Sequence, residues 1–259
     1  MPARLAAFVA HPDDDTFVVS GSVALHADDP DFHFVLVHAT SGEAGQIAEG
    51  SGATRETLGE VRREEDRRSW IALGREPDRH RWLGLPDHGV AETPINELVD
   101  RLATILREER PDVVITFGPD GITGHPDHIA VGRAATVAFH RVREEGGSGL
   151  GRLLYNAIPQ SWMDEWNARS IAAGKEPFDP TQLYHPRGVP DDTIGVVVDC
   201  SAVLDRKRAA VLEHTSQAQD TGDMTDEEMG EALSREGFVI AWPGSSPGST
   251  VVGDVFEGI

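Results

Sequence analysis

Short apolar runs alternate along the chain with longer segments whose apolar positions recur at helical spacing. The apolar runs predict buried strands at Leu5–Ala10, Phe32–Ala39, Val113–Phe117, Leu153–Ala157 and Ile194–Val198. The longer segments predict helices at Phe17–Ala27, Thr54–Leu73, Pro94–Glu109, Pro126–Arg143, Ser161–Ala173 and Ala202–Thr215. Alternating strands and helices predict an α/β fold with a mostly parallel sheet and helices on both faces. Continuously apolar strands fit burial on both sides.

The pattern predicts a single domain over residues 1–259, because no segment has the composition of a linker. Gly42–Ala53 is a glycine-rich loop after the second strand, and its small residues fit an active-site lid. A tail rich in Gly, Ser and Pro begins at about Gly237, and Val251–Phe256 within it predicts a terminal edge strand.

Charge excludes several kinds of partner. The 259 residues contain 23 Lys and Arg against 44 Asp and Glu, a formal net charge of −21. Nucleic-acid binding needs a basic footprint, and anionic membrane surfaces attract basic segments, so neither partner is expected. The chain has no apolar run near the roughly 18 residues of a membrane span. Its first residues lack the pattern of a secretory signal, which predicts a cytoplasmic protein.

The first group of chemically active residues follows the first predicted strand. His11-Pro12-Asp13-Asp14-Asp15 places an imidazole and three carboxylates where ligands gather in α/β sheets, at the carboxyl end of a strand. Adjacent carboxylates repel one another, and a divalent metal would relieve that repulsion. An acidic turn that caps a helix explains this segment equally well on its own.

A second group shifts the balance towards a metal. Gly124-His125-Pro126-Asp127-His128 follows the buried run Val113–Phe117. Pro126 suits the first position of a helix, so His125 is predicted as its N-cap. His125 and His128 then lie on one face of the first turn, and Asp127 could orient an imidazole.

Together the two groups offer two imidazoles and a carboxylate, with a further carboxylate to act as a base. This is the ligand pattern of catalytic zinc in hydrolases, where an open position takes water. Non-haem Fe(II) oxygenases use the same triad, although they commonly have antiparallel β scaffolds. A non-catalytic metal- or sugar-binding module is the third interpretation.

These motifs carry a resemblance to a known family. AHPDD at Ala10–Asp14 and GHPDH at Gly124–His128 resemble the PIG-L/LmbE-like N-acetylglucosaminyl deacetylases in order and spacing. Weaker similarities lie at Thr40–Gly45, at Arg62 and Glu65 ahead of Leu73-Gly74, at Leu85-Pro86-Asp87, and at Lys207 ahead of His214-Thr215-Ser216-Gln217. The resemblance covers roughly residues 4–217 and implies a Rossmann-like, zinc-dependent enzyme that removes the N-acetyl group, or a related acyl group, of small glucosaminyl conjugates.

The resemblance also implies roles for individual residues. The implied zinc ligands are His11, Asp14 and His128, although another divalent ion such as Fe²⁺ would fit the same donors. Asp13 is implied as the general base, and His125 as the group that stabilises the oxyanion or protonates the leaving amine. The implied sugar-binding residues are Arg62, Asp87 and Glu43.

Two positions depart from the family pattern, which usually reads AHPDDE. Asp15 is shorter than the glutamate usual there, and Thr123 stands where some members have a tyrosine. The role of that phenol is therefore absent or supplied from elsewhere in the chain. The family's habit of assembling implies a homo-oligomer, with the C-terminal tail as a subunit contact.

Overall fold

The computed structural model describes residues 3–220, 224–244 and 250–259, so part of the Gly/Ser/Pro-rich stretch lies outside the described residues. The strands are β1 (Arg4–Val9), β2 (His33–His38), β3 (Arg79–Trp82), β4 (Val113–Phe117), β5 (Arg152–Asn156), β6 (Ile158–Pro159), β7 (Gly188–Val189), β8 (Ile194–Asp199) and β9 (Arg235–Trp242). The helices are α1 (Asp14–Val18), α2 (Ser20–Leu25), α3 (Leu58–Leu73), α4 (Ile95–Glu109), α5 (Gly121–Gly124), α6 (Pro126–Glu144), α7 (Gln160–Ala172), α8 (Leu204–Leu212) and α9 (Asp226–Leu233).

A seven-stranded sheet organises the fold, in the order β3-β2-β1-β4-β5-β9-β8. The neighbours from β3 to β5 are parallel, with Leu5 of β1 paired to Phe34 on one side and to Val113 on the other. β9 is antiparallel to both β5 and β8. Strands β6 and β7 form a separate parallel pair. The predicted mostly parallel α/β fold is confirmed.

The core lies along the central strands. Every residue of β4 and nearly every residue of β1 and β2 is buried, which requires cover on both faces of the sheet. α4 packs against α6, and α3 packs against α8. The carboxyl ends of the central strands therefore project from a closely packed core.

The segment predicted as one helix at Phe17–Ala27 is two short helices. Val19 separates α1 from α2 with a non-helical backbone, at φ −147° and ψ −8°. The hydroxyl of Ser20 donates to the carbonyl of Thr16 at 2.6 Å, a local bond that competes with helix continuation. α1 itself begins at Asp14, within the first motif.

β9 corrects the interpretation of the C-terminal region. The Gly/Ser/Pro-rich tail is predicted from about Gly237 onward, but Arg235–Trp242 form an inner strand of the sheet. The edge strand predicted at Val251–Phe256 is wrong, because the structure shows only a single parallel bridge between Val252 and Val196. Within the described ranges, no helix is long and apolar enough to cross a membrane.

Candidate active site

The strand order brings the two His-Pro-Asp motifs together. β1 precedes His11 and β4 precedes His128, and these two strands are neighbours in the sheet. The chain continues outward to β2 and β3 on one side of this pair and to β5 on the other. Such a switch point leaves a crevice at the carboxyl ends of the strands, where open α/β sheets bind ligands.

Three side chains converge there, and we call His11, Asp14 and His128 the donor cluster. His11 Nδ1 lies 3.2 Å from His128 Nε2. Asp14 Oδ2 lies 3.3 Å from His11 Nδ1, and Asp14 Oδ1 lies 3.1 Å from His128 Nε2. All three side chains are nearly buried, at 9–11% exposure.

The outer nitrogens of the two rings face acceptors. Nδ1 of His128 contacts the carbonyl of Gly121 at 3.0 Å, and Nε2 of His11 lies 3.1 Å from Asp87 Oδ1 and 3.6 Å from Asp127 Oδ2. A proton on Nδ1 of His128 satisfies the Gly121 carbonyl, and Asp87 and Asp127 place negative charge beside Nε2 of His11. The inner nitrogens, His11 Nδ1 and His128 Nε2, face each other and the Asp14 carboxylate.

The electrostatics of the donor cluster favour a cation. Burial lowers the pKa of His11, but interactions with Asp127, Asp14 and Asp87 outweigh it and raise that pKa well above the ordinary value. Burial raises the pKa of Asp14, yet the charge of His128 and the hydrogen bonds from both rings lower it well below its usual range. Positive charge is therefore stabilised at this point.

The donor set fits a metal ion. With Zn–N and Zn–O bonds near 2.0–2.1 Å, tetrahedral zinc holds its ligand atoms about 3.3–3.4 Å apart, and the donor cluster has separations of 3.1–3.3 Å. His125 is a further neighbour, because its ring and those of His11 and His128 offer nitrogens within 4.8 Å of one another. Asp14 lies within 3.1–3.3 Å of both rings, which favours it as the third donor.

Asp13 has a strained backbone, with φ of 109° at the N-cap of α1. Non-glycine residues at positive φ are uncommon and cluster at functional sites. Its Oδ2 accepts from Nη2 of Arg62 at 2.8 Å, and the same nitrogen donates to the carbonyl of Pro12 at 2.6 Å. The Asp13 carboxylate is thus held by Arg62, with 21% of its side chain exposed.

His125 occupies its predicted place as the N-cap of α6, with Pro126 in the first turn. Its Nδ1 accepts from the backbone N–H of Asp127 at 3.1 Å, which leaves the ring proton on Nε2. Burial, together with the neighbouring His11 and His128, lowers the pKa of His125 to about 4. At neutral pH this imidazole is uncharged and carries an N–H donor.

The residues predicted to bind sugar are hydrogen-bonded to backbone groups around the site. Glu43 Oε1 accepts from the backbone N–H of Asp87, and Asp87 Oδ2 accepts from the N–H of Ala44, both at 2.9 Å. Arg62 Nη1 donates to the carbonyl of Gly42 at 3.0 Å, so its guanidinium is buried among protein acceptors. The first residues of the glycine-rich loop are therefore pinned to the site, and its role as a lid stays a prediction.

A phenol reaches the site from a different part of the chain. Position 123 lacks a tyrosine, but the ring of Tyr184 lies 5.2 Å from that of His125. The backbone N–H of Tyr184 donates to the carbonyl of Thr123 at 3.0 Å. Sequence analysis did not single out Tyr184, because nothing in the local pattern links the two segments.

A second polar cluster lies behind the first motif and was also missed. Asp15 Oδ2 accepts from Trp70 Nε1 at 2.6 Å, and its Oδ1 lies 3.2 Å from His38 Nε2. His38 contacts His80 at 2.9 Å, and fully buried Asp66 lies 3.6 Å from His38. Asp15 therefore anchors the motif to β2 and α3 and does not join the donor cluster.

The sequence also matches a known protein family. The family model described as PIG-L, GlcNAc-PI de-N-acetylase, matches residues 6–139, more than half of the chain. A 1D-myo-inositol 2-acetamido-2-deoxy-alpha-D-glucopyranoside deacetylase from Thermobifida fusca is 33% identical over 246 residues, which covers 85% of each chain.

Two solved structures share the fold. The conserved protein TT1542 from Thermus thermophilus has a TM-score of 0.62 at 24% identity, covering 96% of this chain and 99% of its own. N,N'-diacetylchitobiose deacetylase from Pyrococcus horikoshii has a TM-score of 0.62 at 23% identity, covering 91% and 82%. At this identity the likeness concerns the fold alone.

Proposed function

The chain belongs to the PIG-L family of GlcNAc-PI de-N-acetylases, and from this we propose that it is a metal-dependent hydrolase that removes an N-acetyl or related N-acyl group from a small N-acetylglucosamine-containing conjugate. The observation that carries the proposal is the convergence of two imidazole nitrogens and the Asp14 carboxylate at 3.1–3.3 Å, with a further carboxylate, Asp13, next to Asp14 in the chain. A binding module would not need that additional group.

The metal is zinc in this proposal, held by His11, Asp14 and His128. When bound, zinc lowers the pKa of a coordinated water and polarises the amide carbonyl. Asp87 and the carbonyl of Gly121 keep the ring protons on the outer nitrogens, so that the inner nitrogens stay available.

Asp13 is the general base. Its carboxylate accepts the proton of the attacking water and passes it to the amide nitrogen, which leaves as an amine. The guanidinium of Arg62 fixes the orientation of that carboxylate and favours its ionised form. Arg62 is a positioning residue here, and direct contacts of Arg62, Asp87 and Glu43 with sugar hydroxyls stay predictions.

His125 stabilises the oxyanion. Since its Nδ1 accepts a backbone hydrogen bond, the Nε2–H is the free donor, and it donates to the developing negative charge as a neutral group. With a pKa of about 4, the free imidazole does not supply a proton to the leaving amine at neutral pH.

The test compares two adjacent carboxylates. Asp13→Asn should retain metal and lose about 10²–10⁴-fold in kcat, the usual contribution of a general base. Asp14→Asn should instead lose metal, because an amide oxygen lacks the carboxylate charge. Metal content and acetate release from N-acetylglucosamine conjugates are measured for both variants.

His128→Ala is the control for the ligand set, and unchanged metal content in that variant would contradict it. Acetate release under nitrogen separates the hydrolase from an Fe(II) oxygenase, which requires oxygen. If Asp13→Asn loses its metal while Asp14→Asn keeps both metal and activity, the two roles are reversed.

A further inference from the structure

The two sides of the donor cluster differ in chemistry, and the strand order explains why. Glu43 follows β2 and Asp87 follows β3, so polar groups lie on the β2 side of β1. On the other side of β1 lie the ends of β4 and β5. The start of antiparallel β9 completes that side, where Phe238 pairs with Asn156.

An apolar cavity of about 270 Å³ opens on the β4–β5–β9 side. Asp14 and His128 of the donor cluster form part of its wall, so the cavity reaches the reacting centre. Apolar side chains form much of the remaining wall, among them Phe117, Ile122 and Trp162. The guanidinium of Arg235 covers the ring of Trp162 at 4.2 Å, which fixes this wall in place.

The cavity exceeds what an acetyl group needs. Its volume corresponds to about nine water molecules at roughly 30 Å³ each, whereas the methyl of an acetyl group is about the size of one. A second cavity of about 460 Å³ shares Trp166 and Ala232 with the first, and Phe178 and Met224 belong to its lining. Five charged side chains also line this second cavity, so the apolar space next to the metal donors is that of the first cavity.

The chemistry of an amide relates these two sides to one substrate. The carbonyl carbon that reacts at the donor cluster has two substituents besides its oxygen. One is the nitrogen of the amino sugar, and the other is the alkyl chain of the acyl group. Hydroxyl-rich sugar matches the polar side, which leaves the acyl group on the apolar side.

We infer that the cavity between β4, β5 and β9 binds the acyl group and that the preferred substrates carry N-acyl chains longer than acetyl. This inference rests on the proposed hydrolase function and narrows its substrate class to medium-chain N-acylglucosamine conjugates. The reaction is the same hydrolysis: water adds to the carbonyl, the C–N bond breaks, and a carboxylic acid and an amine are released.

The test is a chain-length series on the metal-loaded enzyme, from N-acetyl- through N-butanoyl- and N-hexanoyl- to N-octanoylglucosamine. Each fully buried CH₂ is worth about fourfold in kcat/KM, and we expect the hexanoyl substrate to exceed the acetyl one by at least about tenfold. Equal or falling kcat/KM with chain length overturns the inference while leaving the hydrolase intact.

Variants locate the effect. Ala157→Phe places a bulky side chain in the cavity, and Trp162→Ala removes part of its wall. Because the second variant adds no bulk, the test still works if Ala157→Phe fails to fold. Both should retain metal and lose the preference for hexanoyl over acetyl in kcat/KM. Ala168→Phe is the matched control, since Ala168 is exposed on α7 and the same substitution there should leave the series unchanged.

Two further measurements separate the remaining outcomes. The first compares kcat/KM for the phenyl glycoside of N-acetylglucosamine with kcat/KM for free N-acetylglucosamine. If the phenyl glycoside is preferred and Ala157→Phe abolishes that preference, the cavity binds the group at the anomeric carbon, which overturns the inference. The second measurement uses calorimetry to compare the affinities of Asp13→Asn for N-hexanoylglucosamine and N-acetylglucosamine, which requires no turnover. Tighter hexanoyl binding there supports the acyl site even if the proposed function fails, and equal binding overturns it.

Discussion

Asp13 depends on Arg62 for its orientation, because the Arg62 guanidinium holds Asp13 together with the carbonyls of Pro12 and Gly42. Each of these partners is separated from Arg62 by at least 20 positions in the chain. Arg62 joins the end of β1 to α3, so the base is positioned by tertiary contacts and not by its own segment.

Arg62→Met should lower kcat by about 10–10²-fold with metal content unchanged, because the Asp13 carboxylate loses its anchor and its neighbouring charge. The acid limb of the rate–pH profile should move to higher pH, since the charge that favours the ionised carboxylate is gone. Arg62→Lys should rescue only partly. A rise in KM alone, with kcat and the pH profile unchanged, would instead support a direct sugar contact.

A buried histidine makes stability depend on pH. His214 is 6% exposed, its Nε2 lies 3.0 Å from Thr16 Oγ1, and burial lowers its pKa to about 4. Between that value and about 6.5, the unfolded chain binds a proton that the folded protein excludes, so stability falls as pH falls through this window.

We therefore expect the free energy of unfolding of the wild type to lose, between pH 7 and pH 4, up to about 3 kcal/mol more than that of His214→Gln. Urea unfolding at several pH values measures it. His140→Gln, at a partly exposed position, is the control. Identical slopes for His214→Gln and the wild type would contradict the assignment.

At the scale of elements, the hydrophobic periodicity of the sequence predicted the buried strands and the long helices. It did not predict β3 or β9, whose sequences follow other patterns. β3 reads Arg-His-Arg-Trp and is half exposed, so hydrophobicity does not mark it. β9 contains Gly237, and its charged Glu236 is buried against distant groups. Neither strand can be predicted from its own sequence, because each is stabilised by contacts with neighbouring strands and helices.

Glu236 is the group through which β9 is joined to two helices. It accepts from the backbone N–H groups of Gly21 and Ser22 in α2 and from Lys207 Nζ in α8, the last at 2.7 Å with both side chains 1% exposed. A buried carboxylate with such partners is satisfied as long as the cation remains.

Lys207→Met should destabilise the protein by about 3–5 kcal/mol, because it leaves the charge of Glu236 buried without its counterion. Chemical denaturation measures the loss. The double variant Lys207→Met with Glu236→Gln should recover part of it, since the uncompensated charge is removed as well. A double variant no more stable than Lys207→Met would show that packing of the lysine stem, and not charge, sets the cost.

At the scale of the whole molecule, the chemistry of the site was predictable and much of its wall was not. The donor cluster follows from two motifs that each end a buried strand, which the strand order then brings side by side. Tyr184 approaches His125 from a segment more than 50 residues away, and Trp162 lines a cavity that exists only once β9 is in place. Such contacts are properties of the assembled sheet.

We predict that the protein forms a homo-oligomer in solution. The expectation comes from the family resemblance, and the chain exposes apolar side chains in one segment, Phe178, Leu183 and Tyr184, at 40%, 48% and 53%. Light scattering at micromolar concentration should report at least twice the 28.0 kDa of one chain. A mass of one chain would contradict the prediction.

The position of β9 also sets an order of events during synthesis. β8 pairs with β9 in the sheet, and β9 is translated after all the other strands described. On the ribosome, β8 therefore emerges before its partner, and the edge of β5 stays open until Arg235–Trp242 have left the exit tunnel. Both His-Pro-Asp motifs have been translated by then, so the nascent chain carries its metal donors before the wall that would receive an acyl chain has formed.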